Sequence, residues 1–443
     1  MASTAITISG VSPVSRGRKP KKSSKKRSPG RPGSGQPRRA AGARAGATAR
    51  DAPGSEPLRA EETPGWFLPA IDETLAGADV VLAADGPRAL EEATSLLLGR
   101  QLRRAVDEDA VGWFDWWLVE LVGGLAVRIR GELGRGGAGW EAPWRLLFGI
   151  ASIAVPSLAS RALAAARGLL ADVVRAADQP GWLHEMAEIA ATGEVWQMRD
   201  AYGTRLAVIA GFAYPETKDP SVFLFDVDAC GDILVVNAGC YDEVSQAAAA
   251  WRSLAGESAD GAQLRPVTSA DELLCLVHAD KDDLYLSGRE SDSALDNWYR
   301  VMRRLVDLEV ALAKRGMPLP ARTSLFGGHD TAPTIAAFTA WSIDRHGQPP
   351  ETAAVEALAG EWFDGCLPGA EQAASPHRVR YFQELMGDWV DGEVTTAAKA
   401  LLPDWVRWNC ERAGTPEHLA ALSIAAAEAE PAPFDRSGSS CAS

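Results

Sequence analysis

The chain has 443 residues, 46% of them hydrophobic, with six cysteines, fifteen tryptophans and a formal net charge of −14. This composition suits a folded globular protein and excludes collagen, a coiled coil, a disulfide miniprotein and a fully disordered chain. The charge is split: residues 1–50 hold thirteen Lys and Arg and no acid, leaving 32 basic against 59 acidic residues elsewhere, so a +13 tail precedes a −27 body.

The tail is rich in Lys, Arg, Pro, Gly, Ser and Ala and has no aromatic residue. Such a segment buries too little apolar surface to offset the entropy of ordering, so residues 1–62 are read as disordered. Its cations Arg16, Arg18, Lys19, Lys21, Lys22, Lys25, Lys26, Arg27 and Arg31 are the candidate nucleic-acid contacts. They would neutralise DNA or RNA phosphates by counterion release, with little sequence preference. Arg16-Gly17-Arg18-Lys19-Pro20 and Gly30-Arg31-Pro32 resemble the Arg-Gly-Arg-Pro core of AT-hook peptides, though Lys19 interrupts the first and Pro29 stands where the second would have Arg. A solvated leader, or a tail folded back on its own acidic body, stays open beside that reading. The acidic body is in turn a candidate surface for a protein partner.

The tail lacks the features of a secretory signal, Met1-Ala2 is not a myristoylation start, and Cys441 is third rather than fourth from the end. The longest apolar run, 146–160, is shorter than the roughly 20 residues a membrane span needs, and Pro156 interrupts it. The expectation is a cytoplasmic protein without a membrane anchor.

Ordered sequence is expected from Trp66. A helix is predicted over 87–106, with Asp85 as cap, Pro87 in the first turn and Leu90, Ala93, Leu97 and Leu98 on one face. A Trp-dense helix follows over 112–130, then a glycine-rich connector at 134–139 that lacks the strand and Lys-Ser/Thr ending of a phosphate loop. An Ala-rich helix is predicted over 156–177, stopped by Gln179-Pro180-Gly181. The period then changes: 194–200, 204–214, 221–227 and 232–237 are β-branched and aromatic and read as a four-stranded antiparallel meander, closed by a helix over 245–256. Helical spacing returns over 291–315, where Arg300, Arg303 and Arg304 are assigned to the wet face rather than to an anion site. Two further helices are expected, one from Thr331-Ala332-Pro333 through Trp341 and one capped by Thr415, and residues 431–443 are read as frayed.

Four constellations are candidates for chemistry. Asp226-Val227-Asp228 with Asp232 places carboxylates alternately along a strand end, where they could bind Mg²⁺ or Mn²⁺ through oxygen for a metal-dependent hydrolase or phosphotransferase; a solvated hairpin turn is the competing reading. His184 and Glu188 would share one face of an α-helix as a zinc pair, with Glu185 as base, although a third ligand is unidentified. His278 with Asp280, Asp282 and Asp283, and His329 with Asp330, pair imidazole with carboxylate but have no nucleophile beside them. Trp405-Val406-Arg407-Trp408 has the mixed character of a stacking platform, yet its spacing favours a core. No Cys-x-x-Cys pair and no Gly-x-Ser-x-Gly elbow occurs.

Ser375, Pro376, Val379, Phe382, Asp388, Trp389, Val394, Trp405, Val406, Arg407 and Trp408 form a Ser-Pro-x-x-Val start, an Asp-Trp helix end and a Trp-Val-Arg-Trp helix. In these the chain resembles a group of uncharacterised proteins from high-GC bacteria, over about residues 180–430. It departs from the group at Val227, where the group often has His, and at Asp391-Gly392-Glu393, which replaces a basic stretch. The resemblance implies architecture and supplies no activity.

The sequence thus predicts an α+β fold: a helical region at 66–190, a region with the small antiparallel meander at 191–290, and a helical region at 291–430. The function expected from it is a non-enzymatic interaction or regulatory protein whose basic tail contacts nucleic acid, with the Asp-cluster metalloenzyme as the alternative.

Overall fold

The computed structural model describes residues 63–176, 180–214, 221–231, 233–276, 286, 290–320, 330–364 and 366–429. The tail cations Arg16 to Arg31, Asp232, and the histidines His278 and His329 lie outside the described residues. Those from Gly65 onward pack as one α+β unit. No helix among them is long and apolar enough to cross a membrane.

Five helices come first: α1 (Phe67–Ala76), α2 (Pro87–Asp107), α3 (Phe114–Arg135), α4 (Glu141–Ile153) and α5 (Pro156–Ala176). The helix predicted at 87 begins at Pro87, but Gly86 is its cap residue and makes no side-chain bond, so Asp85 lies one position outside the capping site. The Trp-dense segment became α3; Trp66 stacks on Phe114 and packs tilted against Phe67, Phe114 packs tilted against Trp117, and Tyr299 joins at 5.9 Å from Phe114. Gly136, in the left-handed region, ends α3 and opens the connector. Within the apolar run at 146–160, Leu146, Leu147, Ile150 and Ile153 are fully buried on α4.

The sheet is a meander of β1 (Ala190–Arg199), β2 (Arg205–Ala213), β3 (Ser221–Asp228) and β4 (Leu234–Tyr241), with the two-residue β5 (Arg265–Pro266) added beside β1. The order is β4-β3-β2-β1-β5 and every pairing is antiparallel. The four predicted strands are present, and β1 starts earlier than its alternation suggested because its register shifts between Ala191 and Val195. β2 is buried on both faces. Leu206, Val208, Ala210 and Phe212 meet a core shared with α7 (Asp292–Lys314), while Ala207 and Ile209 meet Ala247, Ala248 and Trp251 of α6 (Val244–Ala255).

Ser291 caps α7, accepting from the Ala294 N–H at 3.1 Å, and its hydroxyl also reaches the Val236 carbonyl and Asn237 on β4. The wet-face assignment fails for two of the three α7 arginines: Arg300 and Arg304 are buried. Charge pointed them outward, but Arg304 meets the carboxylate of Glu91, 213 positions away, through two bonds of 2.6 and 2.7 Å.

Five helices complete the unit: α8 (Ala332–His346), α9 (Thr352–Phe363), α10 (Pro376–Gly387), α11 (Glu393–Ala413) and α12 (Glu417–Glu428). Their core gathers Phe338, Trp362, Phe382, Trp405 and Trp408, so the Trp-Val-Arg-Trp segment packs inward as its spacing favoured. Asp330 accepts the Ala332 N–H at the start of α8. Thr415 is not the cap of α12; its N–H closes the end of α11 on the Cys410 carbonyl, and Pro416 takes the cap position.

Candidate metal centre

The end of β3 turns through Asp228, Ala229, Cys230 and Gly231 toward β4. Asp228 Oδ1 accepts the Cys230 N–H at 2.8 Å, the local bond by which an aspartate fixes a turn. A Cβ on Gly231 would fall 2.1 Å from the Tyr381 ring of α10, so the turn can lie against that helix only because this position carries no side chain.

α10 is held at its first turn. Ser375 is its cap, accepting from the Arg378 N–H at 3.1 Å, and Pro376 supplies a preset φ. The Arg378 guanidinium, buried over the Trp362 ring at 4.5 Å, donates to the carbonyls of Ala370, Ala373 and Trp362 at 2.8, 2.9 and 2.6 Å. The start of α10 is therefore rigid and aims Ser375 and His377 at the β3–β4 turn.

There His377 Nδ1 stands 3.0 Å from Asp228 Oδ2, with side-chain exposures of 13% and 3%. Cys230 Sγ lies 3.2 Å from Ser375 Oγ. Asp228, Cys230 and His377 each offer one donor atom, and the three atoms lie within 4.8 Å of one another. Burial disfavours a charged imidazole, but the Asp228 carboxylate, with a smaller contribution from Cys230, outweighs it and lifts the His377 pKa to about 10. Without an ion, His377 is an imidazolium paired to Asp228. A bound cation must displace that proton.

The donor set selects among metals. Ligands of a tetrahedral zinc ion sit about 2.0–2.3 Å from it, hence roughly 3.3–3.6 Å from each other, so the trio needs only a small contraction to close around one. Thiolate and imidazole suit zinc and its neighbours in the transition series, whereas Mg²⁺ and Mn²⁺ prefer oxygen. Three protein donors leave a fourth position.

The acidic cluster read from the sequence is divided. Asp228 belongs to this centre. Asp226 does not: its Oδ1 accepts from Arg205 Nε at 2.6 Å and Trp251 Nε1 at 3.0 Å, and its Oδ2 from Arg205 NH2 at 2.6 Å and Asn237 Nδ2 at 2.9 Å. Four donors from β2, β4 and α6 occupy that carboxylate, and its charge is matched by a buried arginine.

The other pair fails on geometry. Residues 181–188 form a 3₁₀ helix, in which three residues complete a turn, so His184 and Glu188 do not share a face. His184 packs edge-on against Phe148 at 5.5 Å.

His377 was not a sequence candidate, because its partners are about 145 positions away and no local spacing marks it. The Ser375-Pro376 helix start was the only nearby signal.

Comparison with protein-family models, curated proteins and solved structures gives no match to the chain.

Proposed function

We propose that the folded body is a transition-metal-binding module, in which Asp228, Cys230 and His377 hold a zinc-class divalent ion between the β3–β4 turn and the start of α10. The observation that carries this reading is the convergence of buried oxygen, sulfur and nitrogen donors from two elements far apart in sequence. Such an ion ties the meander to the C-terminal helices and makes their docking metal-dependent.

Metal analysis and cobalt titration test it. Equimolar Co²⁺ should give a thiolate-to-cobalt charge-transfer band in the chelator-stripped protein, lost in Cys230→Ser and with affinity at least roughly tenfold weaker in His377→Gln. A wild-type protein that binds neither Zn²⁺ nor Co²⁺ at one equivalent overturns the reading, as does a Cys230→Ser protein with the same spectrum.

A second reading rests on the charge of residues 1–50, thirteen cations without an acid. The tail is proposed to contact DNA or RNA non-specifically while the acidic body engages a protein partner, in a cytoplasmic interaction or regulatory protein. That the five cysteines among the described residues form no disulfide supports a reducing compartment. Deleting residues 1–50 should abolish salt-dependent retention on nucleic acid, and unchanged retention by the truncated chain rejects this reading.

A further inference from the structure

Among the buried charges, Arg300 stands apart. Its residue is 3% exposed, and its guanidinium carbon lies 5.7 Å from the centre of the Phe223 ring on β3. NH1 donates to Asn297 Oδ1 at 3.1 Å, while Nε and NH2 have no hydrogen-bond partner among the described residues.

Each neighbouring arginine is matched. One turn along α7, Arg304 holds Glu91 through two bonds and reaches Asp307 at 3.3 Å. Arg303 holds Asp307 at 2.9 Å. Glu91 also feels the charge of Arg300, and these arginines keep its carboxyl below the usual carboxylate range despite burial, which alone would raise it. Its oxygens, however, are already bonded to Arg304 and Ser152. Arg300 therefore carries a buried charge with no carboxylate of its own among the described residues. A guanidinium cannot shed its proton to escape that cost.

The vacant donors define what would fit. Nε–H and the adjacent NH2 form the side-on edge of a guanidinium, the fork that grips two oxygens of one oxyanion. The same chain shows that edge in use: Arg205 presents Nε and NH2 to the two oxygens of Asp226, both at 2.6 Å.

We propose that Arg300 is the anchor of a second binding site, which takes a small oxyanion offering two oxygens, a carboxylate or a phosphoryl group, against Phe223 between α7 and the sheet. This site is separate from the metal centre and does not depend on it. The partly buried Asn297, bonded to NH1, holds the guanidinium in place beside Phe223.

Equilibrium dialysis of the full chain against labelled inorganic phosphate and labelled acetate, at fixed ionic strength in chloride, tests the proposal and separates the two sources of the oxyanion. Weak, non-saturating uptake by the basic tail is common to all variants, so the difference between wild type and variant isolates the site. The wild type should bind one equivalent saturably. Arg300→Met should bind at least a hundredfold more weakly, from the loss of two charge-assisted bonds. Arg300→Lys, which keeps the charge but not the fork, should bind roughly tenfold or more weakly. A wild type without saturable binding of either anion overturns the proposal, and so does Arg300→Lys with wild-type affinity.

Discussion

Asp200, at the turn between β1 and β2, offers a quantitative test of how burial acts in this fold. Its Oδ1 accepts the N–H groups of Thr204 and Arg205 at 2.9 and 3.0 Å, while Oδ2 has no hydrogen-bond partner among the described residues. Burial pushes its carboxyl up from 3.8 to about 6, outweighing the backbone donors and the Ser258 side chain that favour the charged form. Because the folded value exceeds the unfolded one, the associated stability is fully present below about 3.8 and is lost as pH rises through 6. The full shift, a little over two pH units, corresponds to about 3 kcal/mol, of which about 2–3 kcal/mol falls between pH 4 and pH 8.

In Asp200→Asn the oxygen that accepts both N–H groups is retained and the titration is removed. Any gain or loss from the new amide is the same at every pH. The stability difference between variant and wild type should therefore shift in favour of the variant by about 2–3 kcal/mol from pH 4 to pH 8. Urea unfolding followed by tryptophan fluorescence and circular dichroism across that range measures it. A difference that stays constant with pH would show that burial leaves the Asp200 carboxyl titrating as it does in the unfolded chain, and refute the argument.

Three further outcomes are expected. Asp226→Ala strands the buried charge of Arg205 and releases Asn237 and Trp251, which should cost about 3–5 kcal/mol in denaturant unfolding and erase the near-ultraviolet dichroism of Trp251; a loss under about 1 kcal/mol contradicts the ion-pair assignment. Gly99→Ala places a Cβ 2.5 Å from the Asp296 backbone where α2 crosses α7, so the helices must separate at about 1–3 kcal/mol, and an unchanged unfolding midpoint counts against that close approach. Zinc at a hundredfold excess over its dissociation constant should stabilise the wild type by about 2.7 kcal/mol and leave Cys230→Ser unmoved, as thermal unfolding with and without chelator can show.

The elements that sequence reading recovered are those whose signal is local. The meander announces itself through β-branched runs separated by Ala201-Tyr202-Gly203 and Ala229-Cys230-Gly231, and α7 through apolar residues every three or four positions before Gly316. What stayed hidden depends on distant partners. Arg304 reads as a surface cation until Glu91 is seen opposite it, and Asp226 as a metal ligand until Arg205, Asn237 and Trp251 are placed around it. Asp228 is legible as a site residue, but Cys230 has no paired cysteine nearby to mark it and no local spacing marks His377. The 3₁₀ conformation of 181–188 was equally invisible, because its composition fits an α-helix and only the backbone shows three residues per turn.

The turn that carries Asp228 and Cys230 leaves the ribosome long before its lid does. Cys230 and Ser375 are 145 positions apart, so closure awaits the appearance of α10. For that interval the thiol has only solvent over the face that α10 later covers. The newborn chain is thus at its most oxidisable, and most open to cation capture, in the time it takes to translate the 145 positions from Cys230 to Ser375.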